Sequence, residues 1–244
     1  MFLKELEDYP WFPPYLRKMQ LEYVGWISVH LRLYQPILKL LQRFPSNNWI
    51  DLASGSGWPA YYLQANSENK IHYKLTDLYP TSFSNEVKKN MAFDHASYNL
   101  LKFQPQTLMQ YTIFNSFHHF SSEQQKVFIQ KIKDARTSCI ITEVLEPTWL
   151  CLIQVTVAAF IIQPLTAWAI KPFSLLRIIT TYLLPIQLIT VAWDGWLSVF
   201  KSKTMNQYKA LFSSLADNHY TVEVKRITQL RGNLIIIIVQ PITP

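Results

Sequence analysis

The stretch WIDLASGSG, residues 49–57, decides the fold of this chain. Two apolar residues run into Asp51, and small residues then follow at every other position, namely Ala53, Gly55 and Gly57. This pattern is typical of a buried parallel strand that ends in a tight loop, with the loop backbone close to a ligand. Small residues are needed there because a larger side chain would fill the space of the ligand. Residues 61–63 are expected to begin the next helix, so that free backbone N–H groups point at the ligand.

A second acidic residue, Asp77, follows the glycine-rich loop by about 20 positions in the sequence. Residues 71–76, IHYKLT, predict a second strand, and Asp77 ends it. A carboxylate about 20 positions beyond a glycine-rich turn is the usual partner of a ribose diol, because it can accept hydrogen bonds from both hydroxyls. The alternative is that Asp77 only starts a turn over residues 77–80. The loop and the spacing together favour the ribose interpretation.

Residues 51–57 resemble the first motif of the class I S-adenosylmethionine (SAM)-dependent methyltransferases, Asp/Glu-x-Gly-x-Gly-x-Gly, with Ala53 in place of the first glycine. The resemblance covers about residues 48–146 and 203–241. It implies SAM as cofactor and S-adenosylhomocysteine (SAH) as product, with the loop holding the methionine end and Asp77 the ribose. Asp94, after the presumed third strand, would flank the adenine together with His95. The expected cofactor-binding residues are Asp51, Ala53, Ser54, Gly55, Gly57, Asp77, Leu78, Asp94, His95 and Asn115.

The rest of the chain alternates between strand and helix patterns. Short apolar runs predict further strands at Lys89–Phe93, Thr112–Phe117, Ser138–Val144, Tyr220–Val224 and Leu234–Val239, the last two joined by a hairpin turn at residues 231–233. Helices are expected at Leu16–Leu33, Ile37–Phe44, Met205–Leu215 and from an N-cap at Ser121 or Ser122 to Arg136. The predicted fold class is α/β: a Rossmann-like, seven-stranded, mostly parallel sheet with an antiparallel terminal hairpin, N-terminal helices and a hydrophobic helical insertion.

The insertion is the second informative region. Residues 147–170 contain no charged side chain, and a second apolar stretch, residues 178–193, follows after Lys171 and Arg177. The first stretch is long enough to cross a bilayer core, which takes ~20 residues. If both stretches crossed, the two basic residues would lie on the far side, against the positive-inside tendency. Pro164, Pro185 and three glutamines also disfavour spanning. We therefore expect a monotopic hairpin on the cytoplasmic leaflet; the alternative is a buried helical cap in a soluble enzyme.

These patterns divide the chain into three predicted parts: an N-terminal helical cover of substrate and cofactor at 1–46, a methyltransferase core at 47–146 and 203–244, and the hydrophobic hairpin at 147–202. The two cysteines, Cys139 and Cys151, lie in apolar runs and form no disulfide framework. The acidic N-terminal stretch has no apolar signal segment. No Cys/His cluster has ligand spacing, so no metal is expected.

The composition carries a net charge of +7 in a chain that is 49% hydrophobic. Basic residues beside apolar segments suit an anionic lipid surface; these residues are Arg17, Lys18, Arg32, Lys39, Arg43, Lys171, Arg177, Lys201 and Lys203. A nucleic-acid partner is disfavoured, because the Pro-Pro-aromatic sequence of nucleobase amino-methyltransferases is replaced by residues 116–119, SFHH. Membrane lipid is therefore the expected surface partner.

Candidate catalytic residues follow the fourth predicted strand. His118 and His119 lie where this fold places its ligands, and histidine is the natural base near neutral pH. We expect one of them to face the cleft, with His118 as base or substrate-positioning residue; the alternative is that both only cap backbone groups. Glu143 and Glu146 are secondary candidates for the acceptor's head group, and Asp194 is expected to cap a helix or turn.

The sequence thus predicts a SAM-dependent methyltransferase that acts on a lipophilic small-molecule or lipid acceptor at the cytoplasmic face of the membrane. Two alternatives remain open: a catalytically inactive scaffold that recruits a partner through its apolar hairpin, and a soluble small-molecule methyltransferase with a buried cap. An NAD-dependent dehydrogenase is disfavoured by the alternate-residue glycine spacing and by the terminal hairpin.

Overall fold

The computed structural model describes residues 4–44, 46–68, 71–80, 91–107, 109–229 and 231–242. Its centre is a seven-stranded sheet in the order β3-β2-β1-β4-β5-β7-β6, which confirms the predicted fold class. The strands are β1 Asn48–Leu52, β2 His72–Asp77, β3 Ala92–Ser97, β4 Gln110–Phe114, β5 Ser138–Glu143, β6 Tyr220–Gln229 and β7 Gly232–Pro241.

The sheet runs parallel from β3 to β5, and β7 then pairs antiparallel with both β5 and β6. Every residue of β4 and β5 is buried, as is the apolar run from Leu234 to Val239 in β7. Such strands are covered by helices on both faces, which is why they read as continuous apolar runs. The strand order reverses between β1 and β4, so the crevice for a ligand opens at the carboxyl ends of these strands.

Helices cover both faces of the sheet and form the N-terminal and inserted segments. They are α1 Pro14–His30, α2 Gln35–Leu41, α3 Trp58–Asn66, α4 Ser122–Asp134, α5 Trp149–Thr166, α6 Leu175–Leu183, α7 Ile186–Lys201 and α8 Met205–Phe212. Short 3-10 turns occur at Leu6–Asp8, Leu100–Lys102 and Phe117–His119. The N-cap of α4 is Ser121, whose side chain forms a capping box with Gln124.

The observed strands β6 and β7 are longer than predicted, and two further differences bear on the candidate site. The third strand was expected at Lys89–Phe93, but β3 begins at Ala92, and residues 89 and 90 lie outside the described residues. This strand is at the sheet edge and is mostly exposed, so it lacks the apolar run on which the prediction relied. The fourth strand ends at Phe114 rather than Phe117, because Asn115 turns the chain with a φ of 51°.

The inserted helices α5, α6 and α7 expose apolar side chains. Helix α5 is long and apolar enough to cross a membrane, and only 17% of its residues are buried. Helices α6 and α7 would together meet the same test, but they are bent by 81° at a break that contains Pro185. By length and composition, the described residues therefore contain one helix that could span a membrane, or two spans if the bent pair α6 and α7 counts as one.

Candidate active site

The loop after β1 has the backbone that the small residues predict. Ala53, Gly55 and Gly57 adopt positive φ angles of 54°, 53° and 70°, where side chains larger than glycine are disfavoured. Helix α3 starts directly after this loop, at Trp58, three residues earlier than expected. The Ser54 hydroxyl donates to the Asp51 carbonyl at 2.8 Å and accepts from the Thr76 N–H at 3.1 Å, which ties the loop to β2.

Asp77 lies at the end of β2, directly against this loop. Its Oδ2 accepts the backbone N–H of Gly55 at 2.8 Å, and its Oδ1 accepts that of Tyr79 at 2.9 Å. Burial raises the pKa of Asp77, and the two backbone hydrogen bonds oppose this effect. The residue therefore both starts a turn and touches the loop. Each carboxylate oxygen keeps lone-pair capacity for a ribose hydroxyl.

Asp51 is buried beneath the loop. Its Oδ1 accepts the Thr112 hydroxyl at 2.7 Å, whereas its Oδ2 has no hydrogen-bond partner among the described residues. Burial raises the pKa of Asp51 to about 7, and the hydrogen bond from Thr112 opposes this effect. A buried carboxylate with a strongly raised pKa is a common feature of functional sites.

The adenine-flanking residues expected after the third strand lie elsewhere. Asp94 and His95 are inside β3, not after it. Asp94 is 2.9 Å from the Lys74 ammonium, and His95 packs edge-on against the Phe93 ring. The residues after β3 are Tyr98, whose N–H donates to the Asp77 carbonyl, and Asn99. The strand was predicted to end at Phe93, but β3 starts three residues later than predicted and ends at Ser97, so the residues that follow it are different.

Two further cofactor candidates are at the carboxyl edge of the sheet. Leu78 follows Asp77 and is 42% exposed. Asn115 joins the ends of two strands, because its N–H donates to the Thr142 carbonyl at 2.8 Å and its side-chain oxygen accepts the Val144 N–H at 3.2 Å.

Helix α1 lies directly on the loop. A Cβ at Gly25 would come within 2.2 Å of the Ser56 Oγ, so only glycine allows this close contact. The Leu21 side chain is 3.2 Å from the Cβ position of Gly55. The Arg17 guanidinium lies 4.0 Å above the Tyr79 ring and donates to the carbonyls of residues 7 and 9. Helix α1 is thus the layer that covers the loop.

The histidine pair forms a 3-10 turn after β4. The His118 Nδ1 lies 2.7 Å from the Glu143 Oε2, and the Glu143 Oε1 accepts the backbone N–H groups of Phe117 and His118 at 2.6 and 3.1 Å. The His118 Nε2 is buried and has no hydrogen-bond partner in the described part of the chain. Glu143 therefore holds His118 by contacts to both ring and backbone. Glu146, the other glutamate considered, instead lies 3.1 Å from the Arg226 guanidinium.

His119 faces a set of acidic residues from the N-terminal turn. Its Nδ1 lies 3.1 Å from Asp8, and its Nε2 lies 3.4 Å from Glu5 and 3.9 Å from Glu7. Burial alone would lower the pKa of His119, but the carboxylates of Glu5, Asp8 and Glu7 together raise it to about 10. Sequence reasoning missed these acids, because an acidic start usually marks a solvated segment.

Asp194 holds the N-terminal turn in place. It lies inside α7 and accepts the backbone N–H groups of Leu6 and Glu7 at 2.5 and 3.1 Å, so it caps the turn Leu6–Asp8, in agreement with the expectation of a helix or turn cap. The Gln20 amide donates to it at 2.6 Å. Asp194 is the one charged residue in residues 178–200. A single charge in an otherwise uncharged segment could have indicated, from the sequence alone, that Asp194 has a buried polar partner.

Two of the basic residues assigned to a lipid-facing surface are buried. Arg177 lies 2.5 Å from Glu22 of α1 and donates to the carbonyls of Ile170 and Pro172. Arg17 is buried beneath the N-terminal turn. Their charges therefore serve internal contacts, and the prediction was wrong for both. Cys139 and Cys151 are free and buried, as expected.

The strand order, the terminal hairpin and the loop after β1 define the class I SAM-dependent methyltransferase fold. Among solved structures, the plantazolicin methyltransferase BpumL, in complex with SAH, matches 90% of this chain and 84% of its own length at 8% identity, with a TM-score of 0.50. The magnesium protoporphyrin IX methyltransferase ChlM from Synechocystis, with bound SAH, matches 88% of this chain and 83% of its own, at 10% identity and a TM-score of 0.48.

An O-methyltransferase family protein from Burkholderia thailandensis matches 85% of this chain at 13% identity, with a TM-score of 0.42. This chain spans 56% of that protein's length. No protein-family model matches the chain, and no curated protein matches it by sequence. At 8% identity, the likeness to BpumL concerns the fold alone.

Proposed function

We propose that this protein is a SAM-dependent methyltransferase. The observation that carries the proposal is the contact between the Asp77 carboxylate and the Gly55 N–H, at the carboxyl edge where the strand order reverses. It is supported by the likeness to BpumL, which was solved with SAH. Cofactor binding at this edge does not depend on whether the protein contacts a membrane.

The residues at this edge fit the cofactor. The positive-φ loop keeps its backbone free of bulky side chains on the ligand side, and the Oδ2 of Asp51 beneath it has no hydrogen-bond partner among the described residues. The loop from Ala53 to Gly57 would hold the methionine end, and Asp77 would accept both ribose hydroxyls. For the adenine, the end of β3 favours Tyr98 and Asn99 over Asp94 and His95. When bound, SAM supplies an electrophilic methyl group on a sulfonium.

The protein's own contribution is to hold the acceptor in line and to take its proton. We assign the proton to the Nε2 of His118. Since the Nδ1 faces the Glu143 carboxylate at 2.7 Å, the hydrogen on the ring is fixed at Nδ1 and the Nε2 lone pair is left free. The methyl group goes to the acceptor atom and the acceptor's proton to Nε2. Glu143 acts as a positioning residue, since it is itself held by two backbone N–H groups.

The insertion supports a lipophilic acceptor, because it buries polar side chains and exposes large apolar ones. Several of its polar side chains face inward, with Gln163, Thr181 and Gln187 at 1%, 2% and 0% exposure, although Gln154 and Lys171 are exposed. Large apolar side chains face outward instead, including Trp149, Leu150, Leu165, Trp168, Phe173, Leu175 and Leu183. A soluble cap shows the opposite pattern, because exposed apolar patches of this extent mark membrane or protein contacts. Two of the glutamines that disfavoured a lipid environment are thus shielded from it.

Helix α7 connects this apolar surface with the candidate site. Asp194, Ser198 and Lys201 point toward the N-terminal turn and the histidines. Ile189, Trp193 and Phe200 are exposed on the same helix. A helix with its side chains is about 10 Å across, so an acceptor with a reactive head and a long apolar part can reach both. This arrangement supports our proposal that the enzyme is a monotopic protein of the cytoplasmic leaflet.

The test of the methyltransferase proposal is calorimetric titration of the detergent-solubilised protein with SAM and with SAH. Micromolar binding is expected in the wild type and not in Gly55→Val, whose side chain fills the loop at a positive φ. Asp77→Ala should weaken binding by about 1.5–3 kcal/mol through loss of a charged acceptor. Asp134→Ala, an exposed position on α4, is the matched control. Absence of binding to folded wild-type protein would contradict the proposal and favour the scaffold alternative.

A further inference from the structure

Three side chains converge between the N-terminal turn and the loop after β4. Glu5, His118 and His119 each offer one ligand atom, and these atoms all lie within 4.8 Å of one another. The Nε2 of His118 lies 3.9 Å from the Glu5 Oε1, and the Nε2 of His119 lies 3.4 Å from the Glu5 Oε2. The two imidazoles thus approach opposite oxygens of a single buried carboxylate.

The outer nitrogens of both rings are held by further carboxylates. The Nδ1 of His118 lies 2.7 Å from Glu143, and the Nδ1 of His119 lies 3.1 Å from Asp8. Metal-binding histidines almost always donate their second ring N–H to a carboxylate, a carbonyl or water, which fixes the ring and directs the other lone pair at the metal. Here the same arrangement occurs twice around one point.

A buried polar atom without a partner lies at that point. His118 is 3% exposed, and its Nε2 makes no hydrogen bond with any residue that the structure describes. Such an atom costs free energy unless something completes its coordination. The nearest acidic group, Glu5, is too distant for a hydrogen bond at 3.9 Å. That separation suits two ligands of one ion, since ligands at ~2.1 Å around a tetrahedral zinc lie about 3.4 Å apart.

We propose that Glu5, His118 and His119 form a binding site for a divalent transition-metal ion of the zinc type. Two imidazole nitrogens and one carboxylate favour zinc or cobalt over magnesium and calcium, which prefer oxygen ligands. The ligands come from residue 5 and from two adjacent histidines, which explains why sequence spacing gave no sign of a metal.

Lys201 competes with the ion for Glu5. Its ammonium lies 3.0 Å from the Glu5 Oε1 and 3.8 Å from Asp8, and the Ser198 hydroxyl donates to the Glu5 Oε2 at 2.9 Å. A bound ion would displace the lysine from Glu5. Removing the ammonium should therefore raise the affinity of the site for the metal ion. If these side chains form only an ion-pair network and bind no metal, removing the ammonium would not raise the affinity for the ion.

A bound ion would have two effects. It would fix the turn Leu6–Asp8 to the loop after β4, because Glu5 directly precedes that turn. It would also occupy the Nε2 lone pair that we assign to proton transfer, so that the loaded protein should transfer methyl groups more slowly. Only this second effect rests on the proposed function; metal binding does not.

The experiment is a Co²⁺ titration of the full-length, detergent-solubilised protein after treatment with a chelator, followed by the visible absorption of cobalt. One equivalent with the intense bands of tetrahedral cobalt is expected. The bands should be lost in Glu5→Gln and His119→Ala and retained in His72→Ala, an exposed histidine at the start of β2. Lys201→Met should bind cobalt at least several-fold more tightly. Circular dichroism checks that each variant is folded.

Absence of these bands in the folded wild type would overturn the proposal, as would equal binding by Glu5→Gln, or a Lys201→Met affinity no higher than that of the wild type. SAM calorimetry on the same preparation separates this test from that of the proposed function. If the protein binds SAM but not cobalt, only the proposed metal site is contradicted. If it binds cobalt but not SAM, only the proposed methyltransferase function is contradicted.

Discussion

The guanidinium of Arg177, on α6 of the insertion, lies 2.5 Å from the carboxylate of Glu22, on α1. Both side chains are buried, at 2% and 6% exposure. This ion pair joins the inserted helices to the helix that lies on the cofactor loop. The insertion is thereby connected, through α1, to the loop of the candidate site.

We expect Arg177→Met to lower the free energy of unfolding by about 3–5 kcal/mol, because it leaves the buried Glu22 charge with only the more distant Lys18 ammonium, at 3.9 Å. Adding Glu22→Gln removes that charge and should recover most of the loss. Denaturant unfolding in detergent measures both variants. Equal instability of the single and double variants would show that packing around Arg177, and not the ion pair, holds the insertion.

The second prediction concerns the tautomer of His118. In Glu143→Gln, the amide can donate to the Nδ1 of His118, which moves the ring hydrogen to Nε2 and removes the free lone pair. We expect ¹⁵N spectra of histidine-labelled protein to change from the Nδ1–H to the Nε2–H tautomer at this residue, while SAM affinity stays the same. The His118→Gln spectrum provides the assignment. An unchanged tautomer would contradict the positioning role of Glu143.

The parts of the site that could be predicted are those encoded locally. Asp51, Gly55 and Asp77 belong to one strand-loop-strand unit, so their spacing in the sequence is also their spacing in the fold. The same holds for the strong apolar runs of β4, β5 and β7. The edge strand β3 has no such run, so its start was misplaced, and Asp94 and His95 lie inside the strand and not after it.

The remaining parts depend on contacts that sequence patterns do not contain. Asp8 meets His119 across 111 residues, and Glu22 meets Arg177 across 155. An acidic start and a basic turn both look solvated until their partners are known. Arg177 is the clearest example: it was assigned to the lipid-facing surface, but its guanidinium forms a buried ion pair with Glu22.

The third prediction concerns pH and Asp51. Burial raises the pKa of Asp51 from 3.8 to about 7 in the folded protein. Between these values the folded state binds more protons than the unfolded state, so this group's contribution to stability falls as pH rises and is constant above about 7. We expect Asp51→Asn to be more stable than the wild type at pH 8, by an amount on the order of a few kcal/mol, and the gain to vanish near pH 4.

Urea unfolding of both proteins at the two pH values measures this difference, and the comparison cancels the other groups that titrate in the same range. Asp134→Asn, an exposed control, should show no pH-dependent difference from the wild type. If Asp51→Asn behaves like this control at pH 8, Asp51 is not held in a strained, buried position.

The last prediction tests the lipid-facing surface. Trp149, Leu165, Trp168 and Leu183 are 83%, 67%, 67% and 74% exposed on the insertion. Replacing all four with glutamine removes anchoring area but leaves the inward-facing Gln163, Arg177 and Gln187 intact. Since apolar area drives interfacial binding, we expect this variant to stay at the bottom of a flotation gradient in which the wild type rises with anionic vesicles. A matched variant, Leu101→Gln with Val127→Gln, changes exposed apolar side chains outside the insertion and should float like the wild type. Equal flotation of all three proteins would exclude this surface as the lipid contact, and a wild type that remains soluble without detergent and does not float would favour the soluble enzyme.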